Sequence, residues 1–149
     1  MELIQWVEDS GLGIYVREDL WGFAIMLSLH AVGMAMSLGV VLIVNLRVLG
    51  LVPAIPIQSY SGLFGTAWFG FAINLLSGFA LYSSHAVEYS TQLVFMLKLL
   101  LLTIGGILMK VLMNNVRAGA PDSKLKMISA LCIASWVGAI ITGRLMAYF

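Results

Sequence analysis

Ionisable side chains lie inside apolar runs of this chain, where they are costly to keep. His30 stands near the middle of LWGFAIMLSLHAVGMAMSLGVVLIV, a run from Leu20 to Val44 that contains no Asp, Glu, Lys or Arg. Lys98 comes early in another such run and Arg144 closes a third. A group of this kind in hydrocarbon marks a candidate site, because it is expensive unless it is paired or used. Neutral imidazole is a metal ligand and a common axial ligand of haem iron. Lysine and arginine recognise carboxylates. The set therefore points to haem b, with His30 on the iron and Lys98 and Arg144 towards its two propionates.

Helical spacing sharpens the candidate. Met26, His30, Gly33, Met34 and Ser37 share one face, and small and sulfur-bearing residues around a histidine leave room for a flat group. Asn74, Ser77, Gly78, Leu81 and His85 form a matching stripe. Two histidines on adjacent antiparallel helices suggest bis-histidine ligation. The helical rise, however, puts His85 about 10 Å or more closer to the surface than His30, whereas both ligands of one iron lie on a line through it. A haem held by His30 with another sixth ligand, or a five-coordinate one, stays open. Each residue also has a plainer reading. His30 can be a neutral ring bonded to a serine or a carbonyl, Lys98 and Arg144 can snorkel to the interface, and a face of small residues suits close helix packing. Copper(I) held by methionine and histidine is a further option, but the nine methionines are scattered. No Cys-x-x-Cys, nucleotide loop or Ser-His-Asp set is present.

The elements that must position these groups follow from composition. Hydrophobic residues make up 61% of the 149 and charged ones 10%, which excludes an ordinary soluble globule. Apolar runs over about Leu20–Val44, Leu63–Ser83, Leu93–Met113 and Leu125–Met146 each reach the roughly 20 residues that a helix needs to cross a bilayer. No period-two alternation supports a barrel, so the expected fold is all-α, a four-helix transmembrane bundle. It occupies residues 20–149 and leaves no room for a soluble catalytic domain. Cys132 lies in the fourth span and, as the one cysteine, has no intrachain disulfide partner. Residues 1–19 carry Glu2, Glu8, Asp9, Glu18 and Asp19 around a stripe of Leu3, Ile4, Trp6 and Val7. They read as a short interfacial amphipathic helix, broken at Gly11 and Gly13 and anchored by Trp6 and Trp21, and not as a secretory signal. The first span ends near Asn45–Gly50 and Pro53 and Pro56 then break any helix, Ser90 or Thr91 caps the third span, and Asp122 caps the fourth.

Charge sets the orientation. Arg47, Lys110, Arg117, Lys124 and Lys126 fall on one side, while six of the seven acids fall on the other with Arg17 and Arg144. The positive-inside rule then predicts amino terminus out and carboxy terminus out, with His30, His85, Lys98 and Arg144 gathered in the outer half.

The chain resembles a family of small bacterial inner-membrane proteins. The matching stretches are Leu29-His30 with Gly33, Asn45-Leu46-Arg47-Val48-Leu49-Gly50, Gly70-Phe71-Ala72 through Ser77-Gly78, Phe95-Met96-Leu97-Lys98 and Gly143-Arg144-Leu145-Met146-Ala147-Tyr148. More distantly it is similar to the membrane domain of copper-resistance protein D and to the J-type protoporphyrinogen oxidase. These share a first-span histidine, an arginine after that span, a glycine-containing second span and a lysine early in a later one. The resemblance implies a haem-b or metal-linked role centred on His30 and Lys98. Asn45 stands where an acid is expected, and His85 has no counterpart in the pattern.

The expected function is haem-b-dependent electron transfer in a bacterial inner membrane, by the protein alone or as a small subunit of a membrane oxidoreductase. One alternative is a non-catalytic accessory or structural subunit. Another is a small metal or anion transporter, for which Asn74 and Thr103 are the only inner polar support. Expected partners are the lipid bilayer and either further copies of the chain or a larger membrane complex, with no role for nucleic acid.

Overall fold

The computed structural model describes residues 1–52 and 56–148. Among the described residues the chain is helical, without strands. Four of its helices are long and apolar enough to cross a membrane, which makes it a multi-pass membrane protein. In chain order the elements are α1 (Glu2–Glu8), α2 (Gly11–Glu18), α3 (Gly22–Val48), a 3₁₀ helix (Ile57–Leu63), α4 (Phe64–Ser83), α5 (Ala86–Thr91), α6 (Leu93–Arg117) and α7 (Asp122–Leu145), with a last 3₁₀ turn at Met146–Tyr148.

The boundaries have local causes. The break near the amino terminus falls at Asp9–Ser10, and Gly11 and Gly13 belong to α2, because the Ser10 hydroxyl caps that helix by accepting the Gly13 amide (3.2 Å). The Asp19 carboxylate accepts the amides of Trp21 (2.9 Å) and Gly22 (3.0 Å), placing an acid at the positive end of α3. α3 ends at Val48, within the expected Asn45–Gly50 stretch, and in its last turns Asn45 turns its amide back onto the Val41 carbonyl (2.6 Å). Pro56 precedes the 3₁₀ helix, whereas Pro53 lies outside the described residues. Neither Ser90 nor Thr91 caps α6. Ser90 pairs with the Tyr82 hydroxyl (2.8 Å), Thr91 bonds back to the Glu88 carbonyl (2.8 Å), and Gln92 holds the cap position. Pro121 holds that position at α7, with Asp122 in its first turn.

Packing divides the molecule into two antiparallel hairpins, α3–α4 and α6–α7, joined mainly where α3 crosses α7. In the first hairpin the backbones nearly touch. A Cβ at Gly33 would stand 2.6 Å from the Asn74 nitrogen and 2.7 Å from the Gly70 oxygen, and one at Gly70 would stand 2.8 Å from the Gly33 oxygen. Such a crossing gains dispersion contact along the helices, which is what holds spans together in lipid. Its second effect is to bring His30 alongside Asn74.

The buried apolar cluster fills one end and reaches the middle of the bundle at Cys132 and Trp136. It joins Val40, Val41 and Val44 of α3 to Phe64 of α4, Met109 and Leu112 of α6, and Ile128, Cys132 and Trp136 of α7. This end carries the basic residues, and Arg117 stacks over the Phe64 ring at 5.1 Å. Within it lies a polar link between hairpins: the Ser129 hydroxyl donates to the fully buried Asn45 Oδ1 at 2.6 Å. The opposite end is closed by α1, α2 and α5. There Val16 is fully buried, the Glu8 carboxylate accepts the Val87 amide (2.8 Å), and the Arg17 guanidinium lies 3.7 Å from Glu8 and donates to the Ser84 carbonyl (3.3 Å). α2 thus docks onto the bundle, while Leu3, Trp6 and Trp21 stay exposed around it.

Candidate functional site

His30 lies in the half of the bundle nearer this cap, beyond the apolar cluster. The α3–α4 crossing sets its ring against α4. Its Nδ1 is 3.0 Å from the backbone carbonyl oxygen of Asn74 and 3.2 Å from the Ser77 hydroxyl. In return the Asn74 amide donates to the His30 carbonyl at 2.9 Å, so the two helices exchange bonds at one level. A carbonyl oxygen can only accept, and Nδ1 is therefore the protonated nitrogen. Nε2 keeps its lone pair and has no hydrogen-bond partner among the described residues. The ring is thus bonded to a carbonyl and a serine, as the plainer reading of His30 expected, and a metal-ligating histidine is oriented by the same kind of bond on its far nitrogen.

Lys98 of α6 is seated against α7. Its stem lies along α7 at Gly143, where a Cβ would come within 3.4 Å of Cε and 3.7 Å of Nζ. Lys98 is therefore half-buried against the fourth span, with its ammonium near the level of Arg144, which is exposed. Thus α3 carries the imidazole, α4 orients it, α6 supplies the cation and α7 seats that cation.

His85 is not part of this group. α4 ends at Ser83, and His85 caps α5 with its Nδ1 3.0 Å from the Ser84 hydroxyl and its ring 6.0 Å from that of Tyr89. It lies two turns past Ser77, about 10 Å along the axis from the level of His30. The two histidines are not brought together, so ligation of one iron by the pair is not formed. His85 instead ends a set of packed rings in which Tyr82 and Phe95 stack at 5.4 Å and Tyr89 and Phe95 at 5.9 Å. Among the described residues no group of three or more His, Cys, Asp or Glu side chains is placed to hold a metal ion.

The residues present fit a haem on one face. Nε2 of His30 would offer an axial nitrogen, with the orienting bond on Nδ1 already made, and Lys98 and Arg144 would be the cations for its propionates. The sequence contains no third histidine to supply a second imidazole. Spacing identified His30, Asn74, Ser77 and Lys98, but it carried no sign that Gly143 is the seat of Lys98 or that Ser129 answers Asn45. Both pairings join helices far apart in the chain, and neither leaves a periodic trace. Compared with family models, with curated proteins and with solved structures, the chain has no match.

Proposed function

We propose that this is a bacterial inner-membrane protein, amino and carboxy termini outside, that holds haem b in its outer half through Nε2 of His30. It serves electron transfer, alone or as a small subunit of a membrane oxidoreductase. The observation that carries this reading is the clamp on Nδ1, which leaves Nε2 of an imidazole in an apolar span without a hydrogen-bond partner among the described residues. Bound haem would supply one-electron redox chemistry. The chain's own part is to present the ligand nitrogen, to exclude water and to pair the propionates with Lys98 and Arg144. The orientation rests on Arg47, Lys110, Arg117, Lys124 and Lys126 at one end and on the acidic cap at the other. On this reading the exposed apolar residues of α1 rest in the outer interface. The resemblance to the copper-resistance protein D membrane domain and the J-type protoporphyrinogen oxidase points the same way.

The apolar cluster that fills the inner half disfavours the transport reading, because a path needs polar groups through the full thickness. The test is a dithionite-reduced minus oxidised absorbance spectrum of protein purified from haem-supplied cells. A Soret band with b-type features is expected, and its absence at full protein yield overturns the proposal.

A further inference from the structure

Ser77 stands beside the imidazole in a way that helix packing alone does not require. Its hydroxyl hydrogen is committed to its own helix, with Oγ 2.6 Å from the Ile73 carbonyl and 3.2 Å from that of Asn74. With that proton engaged, Oγ can only accept from Nδ1 of His30, 3.2 Å away. Two acceptors, the Asn74 carbonyl and the Ser77 oxygen, therefore converge on one ring nitrogen. The other tautomer would set the Nδ1 lone pair against those of both the Asn74 carbonyl at 3.0 Å and the Ser77 oxygen at 3.2 Å, so each acceptor adds to the preference for Nδ1–H. One residue on, Gly78 leaves the ring its place. A Cβ there would lie 3.1 Å from Cε1 and 3.4 Å from Nδ1 of His30.

We propose that Ser77 is the positioning residue of the His30 site, holding the imidazole as the Nδ1–H tautomer so that the site takes an electron-pair acceptor at Nε2. The ligand class is thereby narrowed to a Lewis-acidic metal centre, and a ligand that needs a hydrogen bond donated from Nε2 is disfavoured. This rests on the reading of His30 as the ligand residue, yet the tautomer can be read without haem. Hydrogen bonds to the far nitrogen of a ligating histidine also raise its basicity, so Ser77 has a second effect on any bound iron.

The experiment is ¹⁵N NMR of histidine-labelled protein in lipid bilayers, in a His85→Gln background, at about pH 8 where an ordinary imidazole is neutral. The variants are Ser77→Ala, Ser77→Thr and Gly78→Ala. The parent is expected to show Nδ1 protonated and Nε2 bare. Ser77→Ala should raise the population of the Nε2–H form at least tenfold, Ser77→Thr should restore the parent pattern, and Gly78→Ala should shift both nitrogens by displacing the ring. An Nε2–H ring in the parent, or a Ser77→Ala spectrum identical to it, overturns the proposal. Should the tautomer behave as expected while no variant binds haem, the positioning role stands and the haem reading fails.

Discussion

Of the two ring nitrogens of His30, Nδ1 gives its hydrogen to the Asn74 carbonyl and Nε2 is left to a ligand. The Asn74 side chain completes the exchange by donating to the His30 carbonyl. Removing that donor leaves a carbonyl already bonded within its own helix, so Asn74→Ala should cost only about 0.5–1.5 kcal/mol, the usual worth of an interhelical hydrogen bond in lipid. Reversible unfolding in mixed micelles would check it, and a haem content that falls further than stability would separate positioning from packing. At the cap, burial and the neighbouring Glu88 carboxylate raise the Tyr89 phenol above its ordinary 10.0. A raised folded pKa means that the neutral phenol's contribution is complete below about pH 10 and is lost as pH rises through the folded value. Thermal unfolding of the purified protein should therefore drop to lower temperature in that alkaline range, and Tyr89→Phe should flatten the drop.

At the scale of helices, the α3–α4 pair depends on the close approach at Gly33 and Gly70. Gly33→Leu drives a side chain into the Asn74 and Gly70 backbones, which cannot move aside singly. A loss of more than about 2 kcal/mol is expected, with the His30–Asn74 exchange broken as well, measured by micelle unfolding. α7 is the central span, with 44% of its most apolar window buried, while α6 buries 22% and lies at the edge. The four long apolar runs were legible in the sequence because length and hydropathy alone specify a crossing helix. Their ends were less legible. Ser90 and Thr91 looked like caps but bond elsewhere, and nothing in the spacing marked Asn45 as a buried tie to Ser129. Polar side chains with several possible partners are decided by tertiary contact, which periodicity does not record. His85 was better placed: expected at or just beyond the outer end of the second span, it follows the end of α4 at Ser83 and begins α5.

The whole molecule is polarised along its axis. One end is packed with apolar side chains and ringed by lysine and arginine, and the other holds the imidazole, Lys98 and a lid of short helices. Placing the basic end in the cytoplasm predicts a definite labelling pattern in a Cys132→Ser background. A cysteine at Ser10 should react with an impermeant maleimide in intact cells, whereas one at Gly119 should react only after the membrane is opened. On the proposed orientation the same polarity would place a ligand of His30 in the outer half. The most direct test of that account is haem content by pyridine haemochrome assay in purified His30→Ala and His85→Ala proteins. The account predicts about one haem per chain at most in the parent, little change in His85→Ala, and loss of at least nine-tenths in His30→Ala at unchanged protein yield. Equal haem in His30→Ala and the parent would contradict it.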